Sequence, residues 1–496
     1  MRYYLGIDIG TFESKGCIVD AEGTINASAA KPHRMIVPQA GWAEHNAVDD
    51  WWGDFTCISQ KLITDSKLKT VDIKAVSISG IGPCMLPVDK AGVPLMNAVL
   101  YGVDTRATAE IEEFNLKIGK ERIFEFCGNA LTSQSVGPKI LWLKKNRPDL
   151  YAKTHKILNC NSYLNFRLTG RYVIDHYSAS SSAPLYSLSK LGWSDELVGD
   201  LISLDILPEC GWSTEIAGHV TMQAAAETGL QIGTPVTFGT IDAAAEAISV
   251  GVLAPGDMML MYGSTIFVIV MTKRRVRDAK LWYAPWLFPK QHVSMAGLAT
   301  SGTLTHWFRD NFAKELDSKS AAAVLSAEAE QSPAGAKGLI TLPYFSGERT
   351  PIHDASAKGV IFGLNLTHNR GDLFRSLLEG IAFGTHHVLE TFETLGEGPK
   401  NIFAVGGGTK NGTWFQSTSD VSGKTQTLRE KSIGASYGNC FLAAFAVGDV
   451  QFQDINIWNP VVEHLAPNSE TAKIYAKQYQ IFRSLYERNK DLMHIL

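Results

Sequence analysis

The chain lacks the features that mark disulfide-bonded, nucleic-acid-binding and membrane proteins. Its seven cysteines are scattered and odd in number, without paired spacing, which argues against a disulfide framework or a zinc site and favours a reducing compartment. The formal net charge is only −4, so no broad basic surface for nucleic acid is expected. The longest apolar stretch, MMLMYGSTIFVIVM, is too short and too interrupted to span a bilayer, and no signal peptide is visible. We therefore expect a cytoplasmic protein with no nucleic-acid or membrane partner.

Familiar motifs for nucleotide and zinc binding are absent too. The segment SGKT at residues 422–425 ends like a P-loop, but Thr418 stands where such a loop needs its first glycine. GIGPCM at residues 80–85 starts like a dinucleotide fingerprint, but Met85 replaces the third glycine. No zinc-protease helix motif occurs. A nucleotide site in this chain must therefore be assembled from separate loops.

A hairpin with an acidic tip is predicted at the start of the chain. Apolar residues 3–7 lead to Asp8 and a tight Gly10-Thr11 turn, and a second alternating segment follows as far as Asp20. An acid at such a tip can hold a metal-bound phosphate, and free backbone N–H groups can cradle one. The hairpin indicates a protein that handles a nucleoside triphosphate.

The pattern of the chain predicts an α/β architecture in two similar halves. Strand and helix signals alternate to about residue 250, and 496 residues are too many for one ordinary core. GDMMLMYGSTIFVIV then repeats the shape of the opening hairpin, and NIFAVGGGTKNGTWF corresponds to AVSISGIG in the first half. On the residues alone, two homologous domains with a cleft between them and chance similarity both stay open.

Near the C-terminus, a stripe of aromatic residues predicts the packed face of a terminal helix: Tyr475, Tyr479, Phe482 and Tyr486.

Four separated loops carry the hydroxyls and glycines that triphosphate binding needs when no single loop suffices. They are residues 8–11, 239–242, 263–265 and 406–410. Asp242, in the second loop, has two interpretations. It can cap the helix that begins at Ala243. Alternatively, it can accept the proton of a hydroxyl nucleophile in a phosphoryl transfer, which also needs a metal to bridge the phosphates.

The ordered motifs resemble those of the FGGY carbohydrate kinases, which share the actin/hexokinase/heat-shock ATPase fold. LGIDIGTFESKG is similar to the first phosphate motif, GPKILWLKKNRP to the first signature and FGTIDAAAEA to the segment with the catalytic base. GVIFGLNLTHNRGDLFRSLLEG is similar to the second signature and AVGGGTKNGTWFQSTSDVSG to the adenosine motif. The match covers nearly the whole chain. It implies two ribonuclease-H-like, actin-like ATPase domains with a nucleotide cleft between them: a sugar-binding domain at residues 1–249 and a nucleotide-binding domain at residues 250–496.

The resemblance also implies a role for each matching residue. Asp242 is the expected general base and a contact of the sugar, and Asp8 is the expected contact of Mg²⁺, directly or through water. The residues expected at ATP are Gly10, Thr11, Ser264 and Thr265 at its phosphates and Gly407, Gly408 and Asn411 at its adenosine. Lys139 and Trp142 are expected to stabilise the first domain.

The substrate-facing segments depart from the family pattern. Residues 81–84, Ile-Gly-Pro-Cys, stand where xylulose kinases usually carry Gln-Met-His-Gly, and LYGVDTRA stands where many pentulose kinases have Trp-Asn-Asp. Tyr101 and Asp104 are the expected sugar contacts, with Arg106 bracing them.

These expectations amount to an ATP- and Mg²⁺-dependent kinase that acts on a ketopentose such as xylulose. The alternatives are a kinase for glycerol, a tetritol, gluconate or ribulose, and a non-catalytic nucleotide-binding regulator on the same fold. Retention of Asp242 argues against the regulator. The expected partners are the sugar and ATP, with a homodimer as the assembly to test.

Overall fold

The computed structural model describes residues 1–317 and 319–496. Its internal contacts divide the chain into two compact units. The first unit comprises Met1–Leu253, Tyr283–Val293 and Ile433–Pro460. The second comprises Ala254–Trp282, Ser294–Ser432 and Val461–Leu496.

The strands, in chain order, are β1 Tyr3–Ile9, β2 Glu13–Asp20, β3 Ile25–Pro32, β4 Glu44–His45, β5 Ile73–Gly80, β6 Leu86–Val88, β7 Ala98–Val99, β8 Lys156–Leu158, β9 Val173–Asp175, β10 Tyr186–Ser187, β11 Gly192–Trp193, β12 Glu209–Gly211, β13 Ile216–His219, β14 Pro235–Thr237, β15 Thr240–Ile241, β16 Asp257–Tyr262, β17 Ile266–Thr272, β18 Trp282–Pro285, β19 His292–Leu298, β20 Ile340–Leu342, β21 Val360–Phe362, β22 Asn401–Val405, β23 Gln426–Arg429 and β24 Val461–Leu465.

The α-helices are α1 Gly53–Ser66, α2 Thr108–Ile118, α3 Lys120–Cys127, α4 Val136–Asn146, α5 Pro148–Lys153, α6 Cys160–Thr169, α7 His176–Ala179, α8 Met222–Thr228, α9 Asp242–Ser249, α10 Gly302–Phe312, α11 Ala321–Gln331, α12 Arg370–Thr394, α13 Gly412–Ser422, α14 Ala435–Ala446, α15 Ile455–Trp458 and α16 Ser469–Met493. A π-helical turn, Ala47–Trp52, leads into α1, and a short 3₁₀ turn, Gly407–Lys410, precedes α13.

The first unit is organised around a sheet in which β5 is central. The strand order is β13-β14-β5-β1-β2-β3, and β15 pairs with β5 off this path. β1 and β2 form the predicted antiparallel hairpin, while β1, β14 and β15 all run parallel to β5. Because both faces of β1 and β5 are covered, these strands are almost wholly buried, as expected for the parallel part of an α/β sheet.

Helix α14 returns late in the chain to cover this sheet. A Cβ atom on Gly6 would lie 2.1 Å from the carbonyl oxygen of Ser436, so glycine is needed where the helix crosses β1. The amide of Asn439 donates to the carbonyl of Ile7 at 2.9 Å. The predicted domains were continuous, with a boundary after residue 249. In the structure, Ile433–Pro460 belongs to the first compact unit, although this segment lies beyond that boundary.

The second unit contains a sheet with the order β18-β19-β17-β16-β22-β23-β24. β16 and β17 form the predicted second hairpin, and β22 runs parallel to β16 before the chain enters the glycine-rich turn and α13. The aromatic stripe of α16 packs as predicted, with Tyr475, Tyr479 and Phe482 buried in one core cluster with Phe383 of α12.

Candidate active site

Strand register in the first unit brings two carboxylates to one edge of the sheet. In β5, Ser79 is paired with Asp8 of β1 on one side and with Thr240 of β15 on the other. Since these strands are parallel, their carboxyl ends meet at the same edge, and Asp242 follows β15 directly at that edge. Ligands of open α/β sheets bind at this kind of edge. Two residues separated by more than two hundred positions are thus neighbours in the site.

Each of these two carboxylates is harder to ionise than in water. Burial raises the pKa of Asp8 to about 6, although a hydrogen bond from the Ser79 hydroxyl at 2.7 Å and the charge of Lys15 oppose the rise. Burial, together with the negative charge of Asp8, raises the pKa of Asp242 well above its usual range. Paired acids with raised pKa values are typical of functional sites.

The structure favours neither a simple helix cap nor an isolated base for Asp242. The residue is the first of α9, after Ile241 as N-cap, and among residues 1–317 and 319–496 its carboxylate accepts a hydrogen bond only from the N–H of Ala243, at 2.7 Å. An ordinary cap is instead the side chain of the N-cap residue, which here is the apolar Ile241, and it accepts an N–H two or three positions further along the chain. One turn later lies Glu246, whose pKa burial and the charge of Asp8 raise to about 7. Sequence reasoning missed this third acid, although the D-A-A-A-E spacing places both carboxylates on one helix face.

The tip of the first hairpin joins a predicted phosphate contact to a predicted sugar contact. Thr11 lies in the turn between β1 and β2, half-buried, with its hydroxyl 3.3 Å from the hydroxyl of Tyr101. The backbone of Tyr101 is fixed by the buried ammonium of Lys139, which donates to the carbonyls of Leu100 at 2.5 Å and Tyr101 at 3.0 Å. Burial lowers the pKa of Lys139 to about 8.

Asp104 does not have the role expected from the sequence. Its carboxylate is wholly buried and accepts hydrogen bonds from the Ala43 N–H at 2.7 Å and from the Arg106 guanidinium at 2.7–3.0 Å. Arg106, itself buried, also pairs with Glu44 at 2.9 Å and stacks over the ring of Trp42. With no exposed surface, Asp104 cannot touch a sugar; it holds the loop that carries Tyr101. The bracing role of Arg106 is as predicted.

The atypical segment at residues 81–84 follows β5 at the edge where Asp242 lies. Ile81 and Cys84 are buried, and the N–H of Cys84 donates to the side-chain oxygen of Asn159 at 2.7 Å. A Cβ atom on Gly82 would lie 2.7 Å from the Ile241 side chain, so this backbone packs directly beside the residue that precedes Asp242. Ile81 and Pro83 therefore place apolar side chains where the family pattern has glutamine and histidine.

The turn of the second hairpin carries two hydroxyls in the second unit, on the exposed Ser264 and the half-buried Thr265. Its backbone is anchored from α10: the N–H groups of Ser301 and Thr303 both donate to the Ser264 carbonyl at 3.1 Å. In the described part of the chain, the hydroxyls of Ser264 and Thr265 form no hydrogen bond. These hydroxyls are available to a ligand, as a phosphate contact requires.

The glycine-rich turn after β22 is shaped by close packing. A Cβ atom on Gly406, at φ +95°, would lie 2.6 Å from the carbonyl oxygen of Tyr262, and one on Gly408 would lie 2.4 Å from the Trp414 ring. Gly407 is exposed and faces open space. Asn411 caps α13 by accepting the Trp414 N–H at 3.0 Å, and its amide donates to Ser326 at 2.9 Å. The side chain of Asn411 is thus already engaged within the fold.

No group of three or more acidic, histidine or cysteine side chains among residues 1–317 and 319–496 is arranged to hold a metal ion by itself. None of the helices in this described part of the chain has the length and apolar character that a membrane crossing requires.

Comparison with known proteins gives one consistent result. The model of the FGGY family of carbohydrate kinases, N-terminal domain, matches residues 3–249, and that of the C-terminal domain matches residues 258–447. A xylulose kinase of Bacillus subtilis is 29% identical over 99% of this chain and 98% of its own length. A gluconokinase of Bacillus licheniformis is 24% identical over 97% of this chain and 95% of its own. The crystal structure of xylulose kinase from Rhodospirillum rubrum superposes with a TM-score of 0.92 at 29% identity, covering 99% of this chain and all of that one.

Proposed function

We propose, since the chain belongs to the FGGY family of carbohydrate kinases, that it transfers the terminal phosphate of ATP to a hydroxyl of a ketopentose, with xylulose as the first candidate. The observation that carries the proposal is the register around β5, which brings Asp8 and Asp242 to one sheet edge. Two full-length relatives named xylulose kinase support the choice of sugar.

Asp242 acts as the general base in this proposal. Its carboxylate removes the proton of the sugar hydroxyl while the hydroxyl oxygen attacks the terminal phosphorus, the bond to the ADP oxygen breaks, and ADP leaves. A carboxylate whose pKa is raised by burial and by Asp8 is a stronger base than one in water, so it suits this task near neutral pH. The buried segment at residues 81–84 lies beside it and restricts the access of water, a competing acceptor.

Asp8 is the residue proposed to organise Mg²⁺. Ser79 bonds only one of its oxygens, Oδ1, and in the described part of the chain the other oxygen accepts no hydrogen bond. Magnesium prefers oxygen donors and is usually held by one or two carboxylates together with substrate phosphates, so the absence of a complete protein cage fits it. When bound, Mg²⁺ neutralises phosphate charge during the transfer. Asp8 holds its place through its strand register and its bond to Ser79.

The remaining contacts of ATP are assigned to each unit separately. In the first unit, Gly10 and Thr11 are proposed to bind phosphate through the turn of the first hairpin. In the second unit, the hydroxyls of the exposed Ser264 and the half-buried Thr265 are proposed for the same purpose. For the adenosine we propose the backbone of residues 407–408 and the start of α13 at Asn411, whose side chain shapes that turn rather than binding directly.

A panel of acceptors tests the proposed substrate. The purified protein with Mg²⁺ and ATP is assayed for ADP release with xylulose, ribulose, glycerol, erythritol and gluconate. We expect the highest kcat/KM with xylulose. Gluconate as the best acceptor would move the assignment to the sugar acid of the gluconokinase relative. No stimulation by any acceptor would favour the non-catalytic regulator.

The homodimer stays a prediction, and light scattering on the same sample tests it.

Replacement of Asp242 by asparagine tests the proposed base. We expect the variant to fold and to lose turnover by about 10²- to 10⁴-fold, the usual contribution of a general base. The matched control is Asp65→Asn, which makes the same chemical change at an exposed residue of the same unit and should leave kcat unaltered. Turnover close to that of the parent protein in Asp242→Asn would exclude this carboxylate as the base.

A further inference from the structure

The turn between β1 and β2 is held from behind by two histidines that the proposed mechanism does not use. Nε2 of His33 lies 3.0 Å from the carbonyl oxygen of Gly10, and Nε2 of His45 lies 3.1 Å from the carbonyl oxygen of Thr11. The rings of His33 and His45 meet edge to face, with their centroids 4.9 Å apart. Two consecutive peptide groups of the turn are therefore fixed through their carbonyls.

This anchoring determines where the N–H groups of the turn point. In a trans peptide the C=O and the N–H point in opposite directions. Because the carbonyls of Gly10 and Thr11 point to the histidines, the N–H groups of Thr11 and Phe12 point away from them. Neither N–H meets an acceptor in the described part of the chain. Successive N–H groups turned to one side form the concave arrangement that binds an anion.

The two histidines differ in charge. Nδ1 of His45 accepts a hydrogen bond from the indole of Trp51 at 3.1 Å, so this ring is neutral and donates through Nε2 alone. Nδ1 of His33 instead lies 2.8 Å from a carboxylate oxygen of Asp54. A carboxylate and a carbonyl can only accept, so both nitrogens of His33 carry hydrogen and the ring is an imidazolium. Its side chain is only 5% exposed.

Asp54 is well suited to hold this charge. It is buried at 1% exposure and also receives the hydroxyl of Ser14 at 2.7 Å and the ammonium of Lys31 at 2.8 Å. It stays fixed and ionised, because these donors outweigh its burial and lower its pKa. The chain of contacts runs from a buried acid through an imidazolium to the carbonyl of Gly10.

We propose that His33, charged by Asp54, is a positioning residue that sets the Gly10–Thr11 peptide for the phosphates of ATP, and that loss of the His33 proton weakens ATP binding without altering the sugar site. The inference rests on the proposed phosphate contact of Gly10 and Thr11. A neutral His33 keeps a hydrogen at only one nitrogen, and the stronger, charge-assisted bond to the carboxylate of Asp54 holds it at Nδ1, so the carbonyl of Gly10 loses its donor. The turn is then released, and its N–H groups lose their common direction.

The direction of the pH effect follows from the groups that face His33. Burial lowers its pKa, but the hydrogen bond and charge of Asp54, the Gly10 carbonyl and the charge of Asp50 outweigh burial and raise the pKa above the ordinary value of 6.5. Lys31 lies on the far side of Asp54, and His45 beside the ring is neutral, with its pKa lowered to about 4 by burial and by the charge of His33. The proton is therefore retained to a higher pH than on a free imidazole, and the contact to Gly10 is lost as pH rises through the raised value.

The experiment compares His33→Gln with the parent protein between pH 6 and pH 9. Glutamine keeps an amide donor but does not titrate. In the parent protein we expect the KM for ATP, and the dissociation constant of ADP from calorimetry, to rise by about tenfold over this range, which is the value of one hydrogen bond to a charged group. In His33→Gln both constants should be raised at pH 6 and flat with pH. The KM for the sugar should not change in either protein.

Two further variants make the result decisive. His219→Gln alters an exposed histidine of the same unit and should reproduce the parent profile. Asp54→Asn should move the loss of ATP affinity to lower pH, because His33 loses its counter-charge. The inference is overturned if folded His33→Gln keeps the parent affinity and pH profile, or if Asp54→Asn leaves the midpoint in place. A parent protein that phosphorylates no acceptor in the panel would instead refute the proposed function.

Discussion

Replacing Asp8 with asparagine should make the protein more stable at neutral pH while it impairs the kinase. Asp8 has a pKa of 3.8 in an unfolded chain and about 6 in the fold, where burial disfavours its charge. At about 1.4 kcal/mol per pKa unit, ionised Asp8 costs roughly 3 kcal/mol of folding free energy above pH 6. Asparagine removes that cost and keeps an oxygen for the hydroxyl of Ser79. It also removes a negative charge that acts on Asp242 and Glu246.

The sign of the pH dependence gives this prediction a second test. Between the unfolded and folded pKa values the folded protein binds more protons, so the parent protein loses stability as pH rises through this window, while Asp8→Asn does not. The gain from the substitution should be about 3 kcal/mol at pH 7.5, about half of that at pH 5, and nearly absent at pH 4. Urea unfolding followed by circular dichroism, without nucleotide, measures it.

The control for this substitution is Glu22→Gln, which neutralises an exposed carboxylate of the same unit and should shift stability by less than about 0.5 kcal/mol. Equal stability of Asp8→Asn and the parent protein at pH 7.5, or a gain that persists unchanged at pH 4, would show that Asp8 carries no buried-charge penalty. Turnover should fall in the same variant, because the proposed Mg²⁺ contact loses its negative charge.

Two other substitutions test the supports around the site. Arg106→Ala leaves the carboxylate of Asp104 buried without its counter-ion, so we expect a loss of about 3–5 kcal/mol in unfolding free energy, whereas Arg147→Ala, at an exposed ion pair, should cost less than about 1 kcal/mol. Asn411→Ala removes the cap of α13 and should cost about 1 kcal/mol, most of which Asn411→Ser should restore; equal losses in both variants would point to the contact with Ser326 instead.

Local patterns predicted the elements of the site well. Alternating apolar residues and glycine turns give both hairpins, and the strand–glycine–helix pattern gives the turn after β22, because these signals lie within short windows of sequence. The hairpin tip and the strand–helix junction singled out Asp8 and Asp242, and the family motifs supplied their expected roles. The register explains why residues so far apart in the chain are neighbours.

The predictions that failed, and the contacts that were not predicted, mostly involve residues far apart in the sequence. Asp104 was expected at the sugar, but Arg106 and Ala43 use its carboxylate fully. The contact of His33 with the hairpin turn depends on where β3 passes the tip of the first hairpin, and a single histidine in a polar segment gives no such signal. Glu246 alone could have been predicted, because its four-residue spacing from Asp242 on a helix is visible in the sequence.

The late return of α14 has a consequence for biosynthesis. The strands that hold Asp8 and Ser79 are among the first to leave the ribosome, yet one face of their sheet stays uncovered until residues 435–446 have been made. Until then Gly6 and Ile7 present bare backbone and apolar surface, a hazard for aggregation during translation. The first unit therefore cannot complete its folding as soon as its N-terminal residues leave the ribosome. Its sheet is covered only after nearly the whole polypeptide has been synthesised.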